Sequence, residues 1–233
     1  MRVHADFAVR AAAHLTTTPW TPSPMAGVER LMLDRIGAEV ARATSLVRYA
    51  AGSRFAPHSH GGGEEFLVLE GVFADEHGRY PAGTYVRNPP GSQHAPASAA
   101  GCTIFVKLWQ FDPADRRRIV RDTTKLQLAA RAACPGVTDA VLFADRRELV
   151  RVESWAAATR IRRAVSGGLE LLCLDGRFHD GAEQFRRWSW LRLPDGSVLE
   201  ATVGPDGCRV WLKEGHLRPA PTAAPPAAHG RHR

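Results

Sequence analysis

Apolar residues in this chain alternate with polar ones or gather in short runs, and glycine or proline closes most runs. Thr44-Ser45-Leu46-Val47-Arg48-Tyr49 has the period of two that puts alternate side chains on one face of a strand. Leu31 to Ile36 and Ala43 to Tyr49 are therefore expected as short strands, and Glu65 to Glu70 as a buried strand ending at Gly71. Asp75 to Gly83 reads as a turn, and Cys102 to Phe111 as a long closing strand. Short strands punctuated in this way predict an all-β chain in an antiparallel jelly roll.

The pattern occurs twice. Gly62 to Gly71 (GGEEFLVLEG) lines up with Gly167 to Gly176 (GGLELLCLDG), 105 positions later. Pro89-Pro90-Gly91-Ser92 meets Pro194-Asp195-Gly196-Ser197 at the same offset, and Gly101 to Lys107 meets Gly207 to Lys213 one residue further on. Two fused barrels are expected, spanning residues 28–124 and 125–218. An N-terminal arm (1–27) precedes them, with Trp20 as its anchor among prolines that fix φ and remove donors. Asp115 is expected to cap a short helix, and the link through Arg131 to cross between the halves. A disordered Pro- and Ala-rich tail (219–233) is expected to follow, its histidines in solvent.

Candidate chemistry lies in the first half only. His58 and His60 are two apart, so a strand would aim both imidazoles one way. Gly61-Gly62-Gly63 frees the backbone to turn, which brings Glu64 back to them. His94 would arrive from a later strand. Three neutral imidazoles and a carboxylate suit one zinc, iron, manganese, nickel or copper ion better than calcium, which prefers oxygen ligands throughout. At the repeat offset these four positions become Arg163, Val165, Leu169 and Leu199, so the second barrel is expected to hold no metal, with an apolar pocket of Val165, Leu169 and Leu199 in its place. Glu65 recurs as Glu170 and is read as barrel structure, which singles out Glu64 as the ligand. Tyr49, Phe66, Tyr85 and Arg87, near the motif in sequence, are candidates for the pocket wall.

The spacing of Gly52, His58, His60, Glu64 and Gly71, then Gly83, Pro89, Gly91 and His94, resembles the two signature motifs of the cupin superfamily. The second motif of that superfamily often ends in Asn four residues after its His, where this chain has Ser98. The phrase His58-Ser-His-Gly-Gly-Gly-Glu-Glu-Phe-Leu-Val-Leu-Glu-Gly71, with Tyr85 to Gly91 after it, is similar to the cupin domain of ChrR-type anti-sigma factors. The resemblance implies tandem cupin barrels, a bicupin, with zinc on His58, His60, Glu64 and His94. It also implies metal-dependent stress sensing or transcriptional regulation, with a sigma factor as partner. The zinc-binding anti-sigma domain of that family is expected to have no counterpart here, since no His-x3-Cys-x2-Cys precedes the barrel and all cysteines lie at or beyond Cys102. The alternative is a non-haem dioxygenase acting on a chelating β-diketone or thiol; a sugar isomerase or epimerase is the third reading.

Composition narrows the setting. The net charge of +7 comes from 28 Arg and three Lys interleaved with Asp and Glu, without an aromatic-studded basic stripe, which reads as a solvated surface rather than a nucleic-acid face. Cys102, Cys134, Cys173 and Cys208 fall singly, as buried thiols do. No apolar run reaches the roughly 20 residues of a membrane span, and His4, Asp6 and Arg10 interrupt any signal-peptide core, so a cytoplasmic protein is expected. A homodimer is the expected assembly, with a small-molecule ligand as a further candidate partner.

Overall fold

A computed structural model describes residues 1–181, 183–219, 221, 224 and 225, so most of the expected tail, including His229 and His232, lies outside the described residues. The described chain is strands and turns without a helix, and no helix is long and apolar enough to cross a membrane. Two compact units divide it.

The first unit holds Met1–Ala5 and Trp20–Thr124. Its main antiparallel path runs Val28–Gly37, Ala41–Tyr49, Cys102–Leu108, Glu64–Asp75, Thr84–Asn88, Ile119–Asp122. A separate two-stranded sheet pairs His58–His60 with Ser92–His94. The second unit takes Asp6–Pro19 with the chain from Lys125, and its path runs Val137–Ala144, Leu149–Trp155, Val198–Glu214, Leu169–Asp180, Trp190–Leu193, Ala11–Ala13. The two paths match strand for strand. The last strand differs in origin: residues after the Cys102–Leu108 strand supply Ile119–Asp122, while Ala11–Ala13 comes from near the N-terminus. Each covers an edge that would otherwise present unpaired backbone groups. Residues 1–27 are thus divided between the units, and 11–13 are a strand rather than a free arm.

Register shows the duplication residue by residue. Glu64 faces Asn88 as Leu169 faces Leu193, and His58 faces His94 as Arg163 faces Leu199. Ladder pairing skips Leu69 in one barrel and Leu174 in the other, a bulge in both. The bulge explains a shared glycine. Gly71 and Gly176 both have φ of 71°, and a Cβ at either would stand 2.1 Å from a carbonyl oxygen, that of Gly101 or Gly207.

The Glu64–Asp75 strand runs longer than its apolar pattern implied, because Gly78–Pro81 folds back on its far end where a turn was expected. Phe66 and Val68 join Val47, Phe73, Tyr80 and Val106 in the first core. The second core centres on Leu171, Phe178, Phe185 and Leu212. All four cysteines are free thiols, three buried and Cys134 half-buried. Asp115 caps no helix. Its carboxylate is buried and accepts from the Arg117 backbone at 2.9 Å and from Arg87 at 3.4 Å.

Candidate metal centre

In the His58–His60 strand the two imidazoles project from one face, and antiparallel pairing sets His94 directly opposite His58. The three side chains offer nitrogen atoms that all lie within 4.8 Å of one another. His60 Nε2 and His94 Nε2 are 2.9 Å apart. Two nitrogens each about 2.1 Å from one ion and at right angles lie about 3 Å apart, so the spacing fits shared coordination. Glu64 Oε2 is 3.6 Å from each of these nitrogens, and Asn88 Nδ2, across the ladder, donates to that oxygen at 3.1 Å. The donor set fits a transition-metal ion held by His58, His60 and His94 with the Glu64 carboxylate alongside.

The glycine turn before Glu64 has a second role. The Trp109 ring lies across it, and a Cβ on Gly62 would come within 2.3 Å of that ring. Gly63 takes φ of 78° against Phe111, a conformation that side-chain-bearing residues rarely adopt. The turn is therefore closed by aromatics that follow the Cys102–Leu108 strand.

Asp75 is the functional residue that spacing did not reveal. Its Oδ2 lies 3.2 Å from His94 Nδ1, so with the proton on Nδ1 the ring presents Nε2 to the centre. Asp75 Oδ1 accepts from the Tyr80 hydroxyl at 3.0 Å, which in turn accepts from Arg118 at 2.7 Å. Burial alone would raise the Asp75 pKa, but the His94 bond, the His77 backbone and Tyr80 hold it below the ordinary carboxylate value. The two inner imidazoles diverge. Burial pushes His60 down toward the neutral form that binds metal, whereas for His94 the bond to Asp75 and the charge of Glu64 outweigh burial and push it up. In sequence Asp75 resembles any turn-opening Asp, and only the length of the Glu64–Asp75 strand brings it to His94. Asp75→Asn is expected to weaken metal affinity about 10- to 100-fold with the fold kept, measured by competition with a chromophoric chelator.

A cavity of about 140 Å³ opens beside the centre, reached by His58, His60 and Glu64 and walled by Val47, Tyr49, Phe55, Val106 and Leu108. Of the four residues expected in the pocket wall, Tyr49 lines it. Phe66 lies deeper, its ring 4.9 Å from that of Phe73. Tyr85 and Arg87 leave the pocket: odd positions of this ladder face away from Glu64, and both bond Glu65, at 2.9 and 3.1 Å.

The corresponding point of the second barrel is filled. Trp155 stands where Tyr49 does, both paired to the first cysteine of the closing strand, so Glu153 replaces Val47 and Arg151 replaces Ser45. Arg163, in the place of His58, turns its guanidinium onto Glu153 at 2.9 Å, and Arg131, Arg151 and the Trp155 indole donate to the same carboxylate. Val165, Leu169 and Leu199 are packed into the core. The expected apolar pocket is thus replaced by a buried ion cluster beside hydrocarbon. A strand-by-strand comparison around Glu153 is needed to see this, because the ligand positions alone show only loss.

Residues 8–112 match the family model for the ChrR cupin-like domain. No curated protein sequence matches the chain. Among solved structures, a candidate dioxygenase from Nostoc punctiforme superposes with a TM-score of 0.70 at 15% identity, over 91% of this chain and 81% of its own. The bacterial pirin of Escherichia coli in complex with nickel(II) gives 0.66 at 11% identity, over 88% and 98%. Quercetin 2,3-dioxygenase from Acinetobacter baumannii gives 0.53 at 15% identity, over 81% and 78%. At these identities the likeness establishes the fold, a pair of cupin barrels.

Proposed function

We propose that this bicupin, whose first half carries a ChrR cupin-like domain, is a mononuclear metal protein that turns over a small chelating molecule, as a non-haem dioxygenase does. The observation behind this reading is the cavity that meets His58, His60 and Glu64. Structural zinc sites are closed by their protein ligands, whereas catalytic sites keep a position open to substrate. Here His58, His60 and Glu64 border a cavity, and only His94 is packed over.

His58, His60 and His94 would hold the ion, with Glu64 as fourth donor or as a carboxylate beside it. The bound metal would supply Lewis acidity and, if it is iron, one-electron chemistry toward dioxygen. The chain's own groups provide the rest. Asn88 fixes one oxygen of Glu64, so when the carboxylate is not on the ion its Oε2 is aimed at the centre and can accept the acidic proton of a β-diketone or a thiol. Apolar side chains of the wall exclude water from the bound molecule, and Asp75 keeps His94 in the binding tautomer.

Sensing is the second reading, favoured by the family match to a ChrR-type domain; there the same site would hold zinc and report on its ligand without turnover. Elemental analysis of protein purified without added metal, followed by oxygen uptake on β-diketones and thiols after iron loading, separates the two. One redox-active metal per chain with uptake supports the enzyme. Zinc at one per chain with no uptake overturns it in favour of sensing, and absence of any metal overturns both.

A further inference from the structure

Two arginines share the cavity with the metal centre. Arg30 and Arg35 project from Val28–Gly37 to the same side as Val47 and Ala43, their partners on the neighbouring strand, and both line the cavity wall. Several buried guanidiniums of this fold face carboxylates: Asp34 for Arg42, Glu65 for Arg87, Glu153 for Arg151. These two differ. Arg35 is buried and donates to the Ala38 carbonyl, and among the described residues neither it nor Arg30 forms an ion pair. Burial, then the nearby charge of Arg30, lowers the Arg35 pKa, with Glu39 opposing only in part. Glu39 and Glu64 match the two guanidiniums in number, so a divalent ion on the histidines would leave the cavity with an excess of positive charge.

We infer that the cavity takes a small organic anion, a monocarboxylate with an apolar body, its carboxylate on Arg30 and Arg35 and its body against Val47, Val106 and Leu108. The inference rests on the metal reading above and names the class of molecule that site accepts. Size sets the limit. A cavity of about 140 Å³ compares with the roughly 150 Å³ apolar cavity that takes a benzene ring, so the body is a single ring or a short branched chain. A guanidinium meets a carboxylate through two parallel N–H bonds, which strengthen where water is excluded. A neutral molecule of the same shape would gain nothing from the charge of either guanidinium.

Titration calorimetry of the metal-loaded full chain tests this with benzoate and its neutral counterpart benzamide. Benzoate is expected to bind at least about tenfold more tightly, since its bond to arginine is charge-assisted. Arg30→Gln is expected to bring the two within about twofold at unchanged metal content, and Arg30→Lys to restore part of the preference through charge without the bidentate fork. Arg30 is half-buried and forms no ion pair among the described residues, and an unchanged melting temperature of its variants shows that they test binding rather than folding. Equal binding of the two probes, or a benzoate preference that survives Arg30→Gln, overturns the inference. The two readings fail separately: metal at one per chain with no anion preference removes this inference alone. No metal with an Arg30-dependent benzoate preference removes the metal reading and leaves this one standing.

Discussion

The His94→Ala variant is expected to purify without metal, its affinity lowered by more than about 100-fold, beyond the range for losing a partner outside the ligand shell. His94 is 2% exposed, its Nε2 lies 2.9 Å from that of His60, and Asp75 holds its other nitrogen. Removing it leaves two imidazoles on one short strand and a carboxylate, with the fourth side of the centre empty. Loading metal at about 100 times its dissociation constant stabilises a folded protein by about 2.7 kcal/mol, so a wild-type melting shift that the variant lacks reports the loss without any assay of activity. Glu65→Ala is the paired control. Its carboxylate points away from the centre to Tyr85 and Arg87, so the variant should keep its metal while losing about 3 kcal/mol of stability; Asp115 still faces Arg87 at 3.4 Å and limits the cost. Equal metal content in His94→Ala and wild type, or metal loss in Glu65→Ala, would contradict the assignment.

Glu153→Ala is expected to be the most destabilising single change in the second unit, by about 3–5 kcal/mol in denaturant unfolding at neutral pH. It removes the common acceptor of Arg131, Arg151, Arg163 and the Trp155 indole, leaving guanidiniums in the interior with, among the described residues, Asp139 and Glu214 to share. Acid should act in the same direction. Burial by itself would raise the Glu153 pKa, but the charges of Arg163 and Arg151 and the Trp155 bond bring it below the ordinary 4.5. A carboxylate with a depressed folded pKa contributes stability in full above its unfolded value and loses it as pH falls through the folded one. Wild type should therefore lose stability on acidification below pH 4.5 more steeply than Glu153→Gln. Parallel acid limbs for the two would show that the cluster adds nothing.

Much of this was legible in the chain. Alternation in Thr44–Tyr49, glycine at Gly71 and Gly176, and a repeat at one offset are local or periodic signals, and the structure keeps them in register down to the bulges at Leu69 and Leu174. The spacing of His58 and His60 was readable for the same reason, since the period of a strand fixes which side chains share a face, whereas His94 was placed by the resemblance to the second cupin motif. Other features had no such signal. Asp75 looks like a turn residue, and Tyr85 and Arg87 look like neighbours of the centre, because proximity in sequence says nothing about which side of a ladder faces inward.

Sequence by itself determined the all-β architecture, its duplication and the pairing of His58 with His60, because each follows from periodicity along one strand or from comparison of the chain with itself, while His94 was legible only through the cupin motif. Tertiary structure alone decided that Asp75 orients His94, that Arg30 and Arg35 line the cavity with no ion pair among the described residues, and that Arg163 and Glu153 fill the second barrel. It also decided that residues 11–13 complete the sheet of a barrel whose other strands lie beyond residue 124. These are contacts between residues far apart in the chain, set by which strands pair and how their faces turn, and no local pattern encodes them.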